Sequence, residues 1–391
     1  MGSRLDGEQT VPASIPAKRP AHGNYYPQLD GLRAIAVIAV LISHWTSSND
    51  FLKINIGAVG VNVFFVLSGF LITQILLNAR EKSGTKTSNQ VVLKAFYARR
   101  LLRIFPIYYA AILVGVLCDW QLMREDVWYH LLYLSNIRDT VRGSWSPGLG
   151  HLWSLSVEEQ FYLVWPIMML SVPRKYLRPM MLGAILLAIV FRVAMAYLGT
   201  PHSSMAEIIL TPACLDCLAG GALLALLIHQ RGKMIACPAW AIVTSVLASI
   251  AVIVAICWVP LAEGLWWIQP VFFRGASAVL GVAMVVACVN GIKGPAGKLL
   301  EFGPLRYLGR ISYGVYVIHT PMPTLSHTIL KFFDVSHHVS GALLSLTVLS
   351  LALLLTITIA SLSWYLMEAP LNGLKRYFPY VPNSGPGRTA N

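Results

Sequence analysis

Leu32-Arg33-Ala34-Ile35-Ala36-Val37-Ile38-Ala39-Val40-Leu41-Ile42-Ser43-His44-Trp45 is an apolar run that carries two ionisable side chains. Inside a bilayer each of them costs free energy unless it is paired or faces a wet cavity, so both read as functional. Arg33 and His44 are eleven residues apart. At about 100° per residue, eleven steps return to nearly the same face, so the two side chains line one stripe roughly 16 Å long. A charge at one membrane surface with an imidazole about halfway through describes a channel-lining face.

Composition extends this reading to the rest of the chain. Of 391 residues, 56% are hydrophobic and only 12% charged, and the mean hydropathy is +0.63. That excludes an ordinary soluble domain and indicates an all-α polytopic membrane protein. The six cysteines lie in or beside apolar stretches, where they read as packing residues rather than disulfides. Cys214-Leu-Asp-Cys217 has the spacing of a thiol pair or half a zinc site, but no second pair accompanies it, so no metal is expected. The net charge of +13 is spread over the segments between apolar runs, which fits membrane topology and not nucleic-acid binding.

Apolar runs predict ten spans, at 31–48, 57–79, 103–120, 152–172, 179–198, 207–229, 238–259, 267–290, 308–331 and 341–366. With the N-terminus in the cytoplasm, 23 lysines and arginines fall inside and 5 outside, with Arg192 and Arg274 within spans. This asymmetry favours ten helices with both termini cytoplasmic, and the polar stripe of Arg33 and His44 is expected to face a central cavity between them. Residues 1–24 and 379–391 read as disordered cytoplasmic tails around a membrane domain at 25–378. On this reading the chain carries no soluble catalytic domain, and any chemistry belongs to the membrane domain.

Several intramembrane polar groups can carry that chemistry. The fourth span opens with His151-Leu-Trp-Ser-Leu-Ser-Val-Glu158-Glu159-Gln160-Phe-Tyr162. Glu158 lies about 10 Å along that span, a depth at which it is expected to meet His44 approached from the opposite side. A carboxylate there would fix the imidazole tautomer, and the imidazole would take a proton from an alcohol. The plainer reading pairs Glu158 or Glu159 with Arg192 or Arg274 as helix glue. Arg100 and Arg103 lie one helical turn apart at the cytoplasmic boundary, where two guanidiniums can grip a phosphorylated ligand; snorkelling anchors are the alternative. Gly57, Gly60, Ser68 and Gly69 let helices approach closely, and Ser68 can also donate to a ligand. Asp216 is either a cavity residue or a helix-pairing one.

The chain resembles the bacterial integral-membrane acyltransferase-3 family. The resemblance is carried by Leu29-Asp30-Gly31-Leu32-Arg33 with His44 after ten residues, Phe64-Phe65-Val66-Leu67-Ser68-Gly69-Phe70-Leu71, Arg100-Leu-Leu-Arg103, the span-four run, and Ser312-Tyr313-Gly314-Val315-Tyr316-Val317-Ile318-His319. Each motif is short; their order along roughly residues 25–370 is specific. The family resemblance implies transfer of an acyl group, commonly acetyl, from cytoplasmic acyl-CoA to a hydroxyl of a carbohydrate or glycosylated acceptor at a bacterial inner membrane. It assigns catalytic roles to His44 and Glu158 and substrate binding to Arg33, Arg100, Arg103, Ser68 and Asp216. At one position the chain departs from the pattern: Cys214 stands two residues before Asp216, where members often carry an arginine.

The expected function is therefore a membrane O-acyltransferase with acyl-CoA as donor substrate and no tightly bound cofactor. Without a soluble hydrolase-like domain, the acceptor is expected to reach the membrane site itself, as a lipid-linked glycan, a growing polysaccharide or a diffusible glycoside would. The rival class is a proton-coupled transporter, since His, Glu and Arg along a wet path also build carriers. Carriers often show two related halves, and the sequence shows no such symmetry.

Overall fold

The computed structural model describes residues 25–46, 53–83, 88–118, 123–146, 148–231, 237–259, 265, 267–334 and 341–380. The expected N-terminal tail lies outside the described residues. Among those described, regular structure is helical throughout: α1 (Pro27–Trp45), α2 (Ile56–Ser83), α3 (Asn89–Leu117), α4 (Val127–Leu131), α5 (Ser135–Arg142), α6 (Leu152–Ser171), α7 (Arg174–Leu198) and α8 (Pro201–Ile209). There follow α9 (Thr211–Arg231), α10 (Ala239–Trp258), α11 (Ile268–Asn290), α12 (Gly294–Leu300), α13 (Gly303–Ile318), α14 (Met322–Phe332), α15 (Gly341–Ser363) and α16 (Ala369–Gly373). Among the described residues, eight stretches are long and apolar enough to cross a membrane, and they correspond to eight of the ten expected spans.

The two that differ are the fourth and the ninth. Helix α6 has the length of a span, but Glu158, Glu159 and Gln160 lower its hydropathy. The ninth is not one helix: α13 stops at Ile318 and α14 begins at Met322. Pro321 and Pro323 are the cause, because each lacks the amide hydrogen that would continue the helical ladder.

Helix α2 is the hub, packed against α9, α1, α11 and α6. It approaches α9 backbone to backbone, since a side chain at Gly69 would strike the Leu218 carbonyl and one at Gly221 would strike that of Val66. Gly60 packs in the same way on the Ala36 carbonyl of α1. The connection between α3 and α6 is a folded cap: Arg138 bonds Asp126 at 2.6 Å and Asp139 at 3.1 Å, and Asp139 accepts from the Ser146 amide and hydroxyl. At the other end, Arg99 donates to the carbonyls of Lys375 and Phe378 and lies 5.0 Å from the Tyr380 ring. Packing thus reaches Tyr380, and the rest of the expected C-terminal tail lies outside the described residues.

Candidate active site

A cavity of about 270 Å³ lies between α1, α2, α3, α6 and α13. It follows α2 from Val61 to Ile75, some 21 Å of helix. Arg33, Arg100, Arg103, Ser68, Glu158, Tyr162 and Ser312 supply its principal polar lining. Glu158 and Tyr162 are four residues apart on α6 and so share a face. The Ser68 hydroxyl donates to Glu158 Oε1 at 2.7 Å, and the Tyr162 hydroxyl lies 3.1 Å from Oε2 and 2.9 Å from Ser68 Oγ. The carboxylate is therefore held in place, not swinging freely.

The three arginines are differently placed. Arg33 donates to Ser312 Oγ at 3.3 Å, and the Arg100 guanidinium lies 5.1 Å from the Tyr162 ring. None of the three has a carboxylate within 4 Å among the described residues, although Arg33, Arg100 and Arg103 lie close enough to repel one another. Three cations and one carboxylate on a single cavity wall leave an excess of positive charge directed at whatever enters. An anionic ligand is the natural neutraliser.

Tyr316 also lines the cavity, its hydroxyl bonded to Ser154 Oγ at 2.6 Å and to the His151 carbonyl at 3.0 Å. Beyond it lie three imidazoles. His44 Nδ1 is 2.8 Å from His319 Nε2, with the rings stacked at 5.0 Å, and the His151 ring meets His319 edge-on at 4.8 Å. His319 is fully buried, whereas His44 is exposed.

The structure brings Arg33, Arg100, Arg103, Ser68 and Glu158 to one cavity and places two expected residues elsewhere. His44 does not bond Glu158. Helix α1 ends at Trp45, so His44 sits at its end and not halfway through, level with His151; Glu158 lies seven residues further along α6. The partner of His44 is His319. Asp216 is off the cavity, joined to Arg192 at 2.7 Å in a buried pair. Arg274 donates to Cys214 Sγ at 2.6 Å and to the Ile208 carbonyl at 2.5 Å, so neither intramembrane arginine takes Glu158 or Glu159. Sequence reasoning quoted His151 and His319 within their motifs without giving either a role. A signal that could have found His319 is the pair of prolines two and four residues after it, Pro321 and Pro323, which end a helix inside an apparent span.

Fold and site together define an integral membrane protein with an internal cationic cavity beside a cluster of histidines. The family model described as an acyltransferase domain matches residues 26–365, and the chain belongs to that family, acyltransferase-3. It is 33% identical over 379 residues to peptidoglycan O-acetyltransferase OatA of Listeria monocytogenes, covering 90% of this chain and 57% of that one. It is 31% identical over 379 residues to the putative peptidoglycan O-acetyltransferase YrhL of Bacillus subtilis, with 90% and 55% covered. Putative O-acetyltransferases of Staphylococcus aureus match at 33% over 174 residues, 39% of this chain and 26% of theirs. The chain spans little more than half the length of the first two relatives. No solved structure matches it.

Proposed function

We propose that the protein is a membrane O-acyltransferase that moves an acyl group, acetyl in the simplest case, from cytoplasmic acyl-CoA to a hydroxyl of a carbohydrate, at the cytoplasmic membrane of a bacterium. The observation that carries this reading is the set of three guanidiniums without carboxylate partners on one cavity wall. Coenzyme A bears a pyrophosphate and a 3′-phosphate, which suit such forks through charge-assisted bidentate bonds. The acceptor class follows the relatives, whose names specify peptidoglycan or O-acetyl transfer. Arg100 and Arg103 lie near the middle of α3, and His44 lies in the last turn of α1, about 16 Å beyond Arg33.

His44 Nε2 is the base. The acceptor oxygen bonds to the thioester carbonyl carbon while its proton moves to Nε2. The carbon–sulfur bond then breaks, and the proton passes from Nε2 to the departing thiolate, leaving an ester and a free thiol. If His44 first takes the acyl group itself, the same Nε2 lone pair is required. Glu158, fixed by Ser68 and Tyr162, keeps a negative charge among the arginines and orients the donor's path. The test is to incubate purified protein in lipid nanodiscs with radiolabelled acetyl-CoA and candidate glycans. Acceptor-dependent thiol release with label on the glycan is the expected result; label carried across the bilayer without thiol release would make the protein a transporter.

A further inference from the structure

The break in the ninth span has a chemical consequence at His44. An unbroken helix would bond the Val317 carbonyl to the amide of residue 321 and the His319 carbonyl to that of residue 323, and both positions are proline. Side chains from other helices take up the freed oxygens. His151 Nε2 lies 3.1 Å from the Val317 carbonyl, and Trp45 Nε1 donates to the His319 carbonyl at 3.1 Å. The Tyr316 carbonyl, in the last turn of α13, faces His319 Nδ1 at 2.7 Å.

A carbonyl oxygen only accepts, so these contacts decide which ring nitrogens carry hydrogen. His319 must be protonated at Nδ1, where it faces the Tyr316 carbonyl. Its Nε2 in the neutral ring is then an acceptor, and it lies 2.8 Å from His44 Nδ1. His44 must therefore donate from Nδ1, which leaves the lone pair on its Nε2. His151 fits the same scheme, donating from Nε2 and accepting at Nδ1 from the Thr320 hydroxyl at 2.8 Å. Backbone carbonyls exposed by the helix break thus set the tautomers of all three rings.

We propose that His319 is a positioning residue for acyl transfer, holding His44 in the tautomer whose Nε2 is free to accept a proton or attack an acyl carbon. This rests on the transfer reading above. When His44 becomes cationic, His319 Nε2 remains its acceptor, and the Tyr316 carbonyl supports His319 in turn, so the charge is stabilised with no carboxylate in contact with His44.

Two isosteric substitutions separate the parts of this role. In His319→Asn the amide nitrogen occupies the place of Nδ1, so the bond to Tyr316 is kept while the acceptor for His44 is lost. In His319→Gln the side-chain oxygen reaches the place of Nε2 and keeps that acceptor. Thiol release by the purified proteins should fall about 100-fold in kcat for Asn, the lower range of a general-base contribution, with the KM for acetyl-CoA changed less than about twofold. Gln should recover about tenfold or more of that loss. Equal kcat loss in both variants, an unaffected Asn variant, or an effect confined to KM overturns the role. If Asn does not fold, kcat of the Gln variant within about tenfold of wild type supports it and a full loss overturns it. A wild type that releases no thiol with any glycan overturns the transfer reading and this role together, whereas an active wild type with an indifferent Asn variant overturns this role alone.

Discussion

Arg192 and Asp216 lie 2.7 Å apart with the arginine wholly buried, while Arg33, Arg100 and Arg103 line a cavity with no carboxylate within 4 Å among the described residues. Both clusters place guanidiniums inside an apolar helix bundle. In the first, between α7 and α9, Arg192 also donates to the Ala213 carbonyl, so a backbone oxygen and a carboxylate hold both terminal nitrogens of the guanidinium and balance its charge within the protein. In the second, the protein supplies Ser312 to Arg33 and aromatic rings to Arg100, and leaves an excess of charge facing open volume. A hydropathy profile treats the two alike. What separates structural glue from a ligand site is whether the charges balance locally and whether there is space beside them.

The largest effect belongs to the residue beyond that space. His44→Ala should abolish transfer in the purified assay, a loss of about 10²–10⁴-fold or more, while circular dichroism and donor binding stay close to wild type. Near-normal turnover would remove His44 from the chemistry and leave the cavity as a binding site alone.

The closed cluster should behave in the opposite sense. Arg192→Ala strands Asp216 among apolar helices and should destabilise the protein by roughly 3–5 kcal/mol, read as a lower midpoint in detergent unfolding. Replacing both partners by Met and Leu should restore most of that stability and leave the donor KM unchanged. A raised KM in the stable double variant would show that this cluster also serves the substrate.

Ser68→Ala is the mildest test. It removes one of two hydroxyls that hold Glu158, a charge-assisted bond of roughly 1.5–3 kcal/mol. Because Tyr162 remains, turnover should fall by no more than about tenfold. A complete loss of activity with an intact fold would give Ser68 a direct role in binding or chemistry.

The helices and the cavity wall were legible because they rest on periodicity. Arg33 and His44 share a stripe by their spacing, and Glu158 with Tyr162 or Arg100 with Arg103 share faces for the same reason. The depth of His44 was not legible, because it depends on where α1 stops, and the apolar run continues to its last residue. The partner of His44 lies 275 residues away in sequence, across a helix break that a twenty-residue average conceals. The choice between the two readings of Asp216 was not legible, because a polar residue within a span does not reveal which neighbour it faces; Arg192 on α7, 24 residues earlier, decides for helix pairing.

The central claim is that the unneutralised arginines hold the phosphates of an acyl-CoA donor, far from the reacting thioester. The direct measurement is the KM and kcat of wild type, Arg100→Ala and Arg103→Ala with acetyl-CoA and with acetyl-pantetheine, which lacks the nucleotide. Each variant should raise the KM for acetyl-CoA by about 10–100-fold, the equivalent of roughly 1.5–3 kcal/mol, with kcat mostly retained. All three proteins should use acetyl-pantetheine about equally poorly. A defect of the same size with the short donor would contradict the account and assign the arginines to folding or topology.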